Sequence, residues 1–306
     1  MSRWSKFKGT GVAIVTPFKA NRSIDWDALE SMIHHVSREN GVDYIVSLGT
    51  TGEANTLTDE ECRAVLNFTN KTNNGRLPLV AGIFGSNDTA SAIQKFGKYA
   101  DVLAGFDAVL SSSPSYSRPS QEGIYQHYMQ LADASPLPII IYNVPSRTGS
   151  NVSAKTTVRL AKSHERFVAI KEASGNLVQC MEIIKHKPDD FLVLSGDDPL
   201  TLPLLGAGGD GVISVIANAF PVEFSMMVRA AQKGDFAEAR RLNELTLDLH
   251  PWLYVENNPA GIKACLHQLG IIENQLRLPL VPQVGNNYDA LKIEVDKVLA
   301  EKGNGR

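Results

Sequence analysis

Short apolar runs rich in β-branched residues alternate along the chain with longer stretches of amphipathic, helical periodicity. This alternation is typical of βαβ units, whose strands form a parallel sheet. The runs that predict strands are residues 12–17, 44–48, 79–83, 108–112, 139–144, 168–171, 192–195 and 212–216. Eight such units within about 215 residues favour an α/β fold of the closed (β/α)8 type, a TIM barrel, over an open, doubly wound sheet.

The longer stretches carry helix start signals. Asp25 precedes a helical pattern over 26–39, a Thr-Asp-Glu-Glu run opens one over 58–71, and Asn87 precedes one over 88–103. After residue 216 only helical patterns follow, at 221–232, 236–250, 260–269 and 287–301. The first should be the eighth barrel helix and the others an appended region. We therefore expect a catalytic barrel over residues 1–220 and a C-terminal helical extension over 221–306.

Composition narrows the class of protein. The chain has 306 residues, 43% of them hydrophobic, a net charge of −3 and scattered Lys and Arg, so no nucleic-acid partner is expected. No apolar run approaches the roughly 18 residues of a membrane span, and none near the N-terminus resembles a secretory signal, so no membrane association is expected. The three cysteines show no CxxC spacing. This usage predicts a reduced, cytoplasmic protein.

The C-terminal ends of the strands should hold the active site of such a barrel. Lys171 stands at one of these ends, between an apolar run and the small polar residues of a turn. An amine there loses hydration of its charged form, so its pKa should fall. A neutral amine can form a Schiff base with a carbonyl substrate. The alternative is a structural lysine that extends to water or pairs with Glu172.

Two further strand ends carry candidate chemistry. Thr50 and Thr51, in the GTTGE run at 49–53, offer hydroxyl and backbone N–H groups to a carboxylate, or are simply part of a polar turn. Tyr142 ends the most apolar strand and could transfer protons, or pack with a satisfied hydroxyl. Arg147 follows in a loop and could bind a substrate carboxylate in a bidentate manner, or be an ordinary exposed arginine.

Two other signals do not support a cofactor or metal site. Gly206, Gly208 and Gly211 match GxGxxG, but this stretch precedes a strand instead of joining a strand to a helix, so no dinucleotide is expected. Asp197 and Asp198 could suggest a metal pair, yet no nearby histidine completes a ligand set. A metal-dependent aldolase is therefore disfavoured, and we expect no metal.

Five motifs together carry a resemblance to a known family. They are GTTGE at 49–53, SYSRPSQEGIYQHY at 115–128, YNVPSRTG at 142–149, IKEASGN at 170–176 and LSGDD at 194–198. From about residue 8 to residue 282 the chain resembles the dihydrodipicolinate synthases, pyruvate-dependent class I aldolases of the N-acetylneuraminate lyase superfamily. GTTGE and the lysine are shared across that superfamily. Arg147 in YNVPSRTG separates these synthases from the sugar-acid lyases.

The resemblance implies a role for each matching residue. Lys171 would form the imine with pyruvate, and Thr50 and Thr51 would hold the pyruvate carboxylate. Thr51 would also join Tyr142 and Tyr116 in a proton relay. In the family this second tyrosine comes from a neighbouring subunit, so the resemblance implies a homo-oligomer, a dimer or tetramer.

The second substrate is also implied by the resemblance. Arg147 would bind the carboxylate of L-aspartate-4-semialdehyde, and backbone groups at Gly196 and Ile213 would line the pyruvate pocket. Condensation would give 4-hydroxy-tetrahydrodipicolinate, a precursor of diaminopimelate and lysine, with no cofactor because the lysine itself is the electron sink. Two alternatives stay open: a Schiff-base aldolase or lyase acting on a sugar acid, and a non-catalytic metabolite-binding barrel.

The resemblance also bears on regulation by L-lysine. Lysine-inhibited relatives have a histidine, a glutamate and a tyrosine at the positions of Cys62, Ser91 and Ser115, whereas Asn87 is retained here. The glutamate would pair with the ammonium group of lysine, and its loss removes a charge-assisted contact worth roughly 1.5–3 kcal/mol. We therefore expect an enzyme that is insensitive or only weakly sensitive to L-lysine.

Overall fold

Parallel strands close into a barrel in chain order, with the last strand paired to the first. The structure is a computed structural model that describes residues 3–82 and 84–304. In the described residues the barrel strands are β1 Gly9–Ala13, β2 Tyr44–Ser47, β3 Leu79–Ala81, β4 Ala108–Ser112, β5 Ile139–Asn143, β6 Phe167–Glu172, β7 Leu192–Ser195 and β8 Gly211–Ser214. The predicted (β/α)8 TIM barrel is confirmed.

The first strand begins earlier than the sequence pattern predicts. The pattern predicts this strand over 12–17, whereas it spans Gly9–Ala13. Glycine is a weak strand former, so the pattern misses Gly9 and Gly11, which packing in the barrel requires. A Cβ at Gly11 would lie 2.1 Å from Cε2 of the buried Tyr44 ring, so only glycine fits beside that ring. Ile83, the predicted end of the third strand, lies outside the described residues.

Helices surround the barrel and form the C-terminal region. They are α1 Trp26–Val36, α2 Asp59–Asn73, α3 Thr89–Lys98, α4 Ala100–Leu103, α5 Gln121–Ala134, α6 Pro145–Thr148, α7 Ala154–Ser163, α8 Leu177–His186, α9 Thr201–Gly206, α10 Pro221–Gln232, α11 Phe236–Leu247, α12 His250–Tyr254, α13 Ala260–Gln268 and α14 Gly285–Asn304. Predicted helix 88–103 is therefore two helices, α3 and α4, and predicted helix 236–250 ends at Leu247.

Side-chain caps explain where several helices begin. The Asp25 carboxylate accepts a hydrogen bond from a backbone N–H of α1, as predicted. Thr58 and Glu61 form a reciprocal capping box at the start of α2. For α3 the cap is Asp88, which accepts from Ser91 N at 2.8 Å, instead of the predicted Asn87.

Strand alternation divides the core into two layers. Along β6, Ala169 faces the barrel interior, whereas Ile170 packs in the larger core between strands and helices. Lys171 lies two residues after Ala169 and therefore faces the interior at the end of the strand. The same alternation directs Glu172 outward.

The C-terminal helices return to the barrel. Helix α10 packs on β1 and on α9, the arrangement of an eighth barrel helix, and α13 packs against α12 and α14. We retain as a proposal the division into a barrel over 1–220 and a helical extension over 221–306. None of the helices in residues 3–82 and 84–304 combines the length and apolar character that crossing a bilayer requires.

Candidate active site

Lys171 lies inside the barrel mouth and does not pair with its neighbour. It is 8% exposed, pairs in register with Tyr142 on β5, and places its Nζ 5.4 Å from the centre of that tyrosine ring. Glu172 faces the other way, where its carboxylate accepts from Asn143 Nδ2 at 2.8 Å and from Ser174 N at 2.7 Å. The structure therefore does not support a structural lysine paired with Glu172.

Burial changes the chemistry of this amine. Desolvation lowers the pKa of Lys171 from its ordinary value to about 8, although the carboxylates of Asp198 and Asp197 oppose the change. The positive charge of Arg147 lowers the pKa further. With that pKa roughly a tenth of the amine is neutral at pH 7, against roughly one part in 3,000 for an ordinary lysine. Lys171 is therefore prepared to act as a nucleophile.

Gly196 makes room for the lysine side chain. A Cβ at this position would lie 2.8 Å from Cε and 2.9 Å from Cγ of Lys171. The Gly196 N–H donates to the Glu172 carbonyl at 2.8 Å, which holds this backbone against β6. Ile213, the other residue with a predicted backbone role, is fully buried on β8 in the interior cluster that includes Tyr142.

The threonine turn contacts Tyr142 through a different residue than expected. Oγ1 of Thr50 lies 3.1 Å from the Tyr142 hydroxyl, whereas Oγ1 of Thr51 accepts from Asn258 Nδ2 at 2.8 Å. Thr50, and not Thr51, thus makes the expected contact with Tyr142. Consecutive residues of this 3-10 turn project in different directions. Burial raises the pKa of Tyr142, which keeps its hydroxyl protonated, although the Thr50 hydrogen bond partly offsets this effect.

Tyr116 lies apart from these groups in the single chain. It is 94% exposed, has a φ of 67°, and is not among the residues that line the cavity. A left-handed backbone is unusual for a tyrosine, and the loop after β4 leaves this aromatic side chain exposed. The described chain by itself does not bring Tyr116 to Tyr142.

A cavity of about 830 Å³ opens next to the barrel mouth. Thr50, Tyr142 and Arg147 line one part of it. Arg147 is held in α6, with Nη2 donating to the carbonyl of Asn258 at 3.0 Å, while its side chain stays exposed to the cavity. Three predicted site residues therefore share one cavity, and Thr51 and Lys171 each contact a residue that lines it.

The same cavity includes residues named above for L-lysine regulation. Cys62, Asn87 and Ser115 line it together with Lys95. The Asn87 side-chain carbonyl accepts from the Ser115 hydroxyl at 2.6 Å, and Lys95 Nζ donates to a backbone carbonyl at 2.6 Å. Hydrogen bonds within the cavity wall therefore fix the side chains of Ser115, Asn87 and Lys95.

Sequence reasoning missed two residues that support the threonine turn. Asn258 reaches Thr51 as described above, and the fully buried Lys263 donates to the carboxylate of Glu53 and, at 3.0 Å, to the carbonyl of Gln275. Burial outweighs the carboxylate and lowers the pKa of Lys263 to about 8. Both residues lie more than 200 positions from their partners in the turn, and no local pattern marks such contacts.

Asp198, the second residue of the acidic pair after β7, has a structural role. One oxygen of Asp198 accepts from Val215 N at 2.9 Å and from Ile216 N at 2.8 Å, so the carboxylate holds the turn after β8. In the part of the chain that the structure describes, no group of three His, Cys, Asp or Glu side chains could hold a metal ion.

Comparisons with known proteins agree with this geometry. The model of the dihydrodipicolinate synthetase family matches residues 6–298. A 4-hydroxy-tetrahydrodipicolinate synthase of Parabacteroides distasonis is 49% identical over 295 residues, which are 96% of this chain and 98% of the relative. A dihydrodipicolinate synthase crystal structure aligns with a TM-score of 0.89 and 43% identity over 97% of this chain and 99% of that one. A monomeric variant of dihydrodipicolinate synthase aligns with a TM-score of 0.92 and 36% identity over 97% and 98% of the two chains. The chain belongs to the dihydrodipicolinate synthetase family.

Proposed function

We propose that this protein is a lyase that condenses pyruvate with L-aspartate-4-semialdehyde to form 4-hydroxy-tetrahydrodipicolinate. The observation that carries the proposal is the buried Lys171, whose pKa of about 8 supplies a neutral amine next to the hydroxyl pair of Tyr142 and Thr50. Family membership and the names of relatives support the same reaction.

The first half of the reaction activates pyruvate. Neutral Nζ of Lys171 attacks the ketone carbon, the oxygen leaves as water, and an iminium forms. This cation accepts the electron pair when the methyl group loses a proton, which gives an enamine. The lysine therefore serves as the electron sink, and no separate cofactor takes part.

The tyrosine and the threonine turn would assist this step. The Tyr142 hydroxyl is kept protonated by burial and lies 3.1 Å from Thr50 Oγ1, so the two hydroxyls can pass the proton that the departing water requires. The backbone N–H groups of the turn and the Thr51 hydroxyl, which Asn258 fixes, suit the pyruvate carboxylate. We therefore propose Thr50, rather than Thr51, as the threonine of the proton relay.

The second half joins the substrates. The enamine carbon attacks the aldehyde carbon, and the resulting oxygen anion takes a proton to become the 4-hydroxyl group. The substrate ammonium group then loses a proton, its amine attacks the imine carbon, and Lys171 takes up a proton and departs as the free amine, which closes the ring. Arg147 is placed at the cavity to bind the carboxylate of the aldehyde.

The complete site requires a second subunit in our proposal. Tyr116 is 94% exposed and points away from its own chain, which supports a role in a partner's site within a homo-oligomer, a dimer or tetramer. The free, buried cysteines support a reducing compartment, the cytoplasm.

An activity assay separates this proposal from its nearest alternative. Purified protein is supplied with pyruvate and L-aspartate-4-semialdehyde, and in parallel with N-acetylneuraminate, whose cleavage would release pyruvate. The proposal expects pyruvate consumption only with the semialdehyde. Cleavage of the sugar acid without condensation would assign the site to a lyase, and neither activity in a correctly assembled protein would favour a metabolite-binding barrel.

A further inference from the structure

One buried polar atom of the cavity lacks a hydrogen-bond partner. Asn258 is 6% exposed and lines the cavity, and its Oδ1 has no partner within the protein. Among the cavity-lining residues in the described ranges, it is the only buried side-chain oxygen or nitrogen in this condition. Buried polar groups are nearly always paired, so this oxygen points to a ligand group that donates a hydrogen bond.

The side-chain nitrogen and the backbone carbonyl of Asn258 are already committed to other groups. Its Nδ2 donates to Thr51 Oγ1 at 2.8 Å, and its backbone carbonyl accepts from Arg147 Nη2 at 3.0 Å. The first contact orients the side-chain amide, and the second places the guanidinium against the same residue. Asn258 therefore presents a fixed acceptor oxygen next to the group proposed to bind the carboxylate of the aldehyde.

The acidic side chains that line the cavity are not available to a cationic ligand group. Glu53 is paired with Lys263 and also accepts from Arg277 N. Asp59 is paired with Lys98 and accepts from a tyrosine hydroxyl. Asn258 therefore offers an ammonium group near Arg147 a buried, unpaired acceptor oxygen that neither of these two acids provides.

We propose that Asn258 Oδ1 accepts a hydrogen bond from the α-ammonium group of the aldehyde substrate and thereby selects an α-amino aldehyde over its desamino analogue. This inference rests on the proposed function, since it assigns a group of that reaction's second substrate. The ammonium and the carboxylate share one carbon atom, so a carboxylate held by Arg147 brings the ammonium to the residue that Arg147 already contacts. A site built around a substrate N–H discriminates against an analogue that lacks it, because the buried acceptor is then left unpaired.

The test compares L-aspartate-4-semialdehyde with succinate semialdehyde, which has the same carboxylate and aldehyde but no amino group. Enzyme loaded with pyruvate is mixed with each aldehyde, and borohydride quenches the mixture at intervals. Mass spectrometry then follows the rate at which the pyruvyl adduct on the protein is consumed. This rate reports bond formation to either aldehyde without requiring ring closure.

Three variants separate substrate selection from support of the fold. Asn258→Ala removes the acceptor, and Asn258→Asp keeps an acceptor oxygen but loses the Nδ2 contact with Thr51. Asn55→Ala removes an exposed asparagine that lines the same cavity and serves as the matched control.

The proposal expects a specific pattern of rates. Asn258→Ala should reduce the preference for the amino aldehyde by about 10- to 100-fold, the value of a hydrogen bond to a charged group. Asn258→Asp should keep that preference even if both rates fall, and Asn55→Ala should keep it with unchanged rates. Equal losses for the two aldehydes in both Asn258 variants would overturn the inference and leave Asn258 as support for Thr51. A wild-type protein that forms no pyruvyl adduct would instead refute the proposed function.

Discussion

Replacing Lys171 by Met should stabilise the folded protein at neutral pH while abolishing its activity. The lysine is 8% exposed, and burial lowers its pKa from 10.5 to about 8. This difference corresponds to about 3 kcal/mol by which the folded structure disfavours the charged amine. Methionine is of similar length and carries no charge, so it removes this cost. We expect a gain in the free energy of unfolding of up to about 3 kcal/mol at pH 7.

The sign of the pH dependence follows from proton linkage. Below pH 8 the amine of Lys171 is protonated in both the folded and the unfolded chain, so the wild type carries the full cost. Between pH 8 and 10.5 the unfolded chain retains the proton and the folded chain releases it, so wild-type stability rises with pH relative to the variant. The advantage of Lys171→Met should therefore shrink above pH 8 and vanish near pH 10.5.

Urea unfolding of both proteins at pH 7 and pH 9.5, at one protein concentration, measures this difference. Lys155→Met, at an exposed position on α7, is the control and should change stability by no more than about 0.5 kcal/mol. A Lys171→Met protein no more stable than the wild type at pH 7, or a gain that increases with pH, would refute the argument that burial depresses this pKa.

Three further predictions concern the second substrate, the partner subunit and regulation. Arg147→Ala should raise the KM for L-aspartate-4-semialdehyde far more than the KM for pyruvate, because it removes a charge-assisted contact worth roughly 1.5–3 kcal/mol. Equal increases in the two KM values would make the arginine structural. Mixed Tyr116→Phe and Lys171→Ala proteins should regain activity that neither has alone, whereas no recovery despite demonstrated subunit exchange would remove Tyr116 from a partner's site. L-lysine should inhibit weakly, since Lys95 contributes a cation to the cavity lining. Half-inhibition below about 1 mM, near −4 kcal/mol of binding, would contradict this.

Patterns that depend on neighbouring residues predicted most of the fold. Apolar runs place β2 and β4 to β8 within a few residues, and Asp25 and the Thr58 run mark the starts of α1 and α2. The position of the first strand was predicted wrongly because the ring of Tyr44 requires a glycine at position 11. Local propensity does not contain this contact between two strands.

In the candidate site, too, residues marked by a local pattern could be predicted and those that depend on long-range contacts could not. Lys171 could be identified because an apolar strand that ends in a lysine and a polar turn is a local signal, and its environment agrees with that interpretation. The roles of Thr50 and Thr51 could not be told apart, since the direction of each hydroxyl depends on the turn geometry and on Asn258, more than 200 residues away. Long-range contacts of this kind require the folded chain.

Reduction of the protein with borohydride in the presence of pyruvate, followed by peptide mass mapping, tests the Schiff-base mechanism at the lysine itself. We expect one pyruvyl adduct per chain, located on Lys171, and none in Lys171→Ala. The buried Lys263, whose pKa is also lowered to about 8, is the internal comparison, because Glu53 holds its amine and should leave it unmodified. An adduct on Lys263 or another lysine, or no adduct in an active enzyme, would contradict the Schiff-base mechanism.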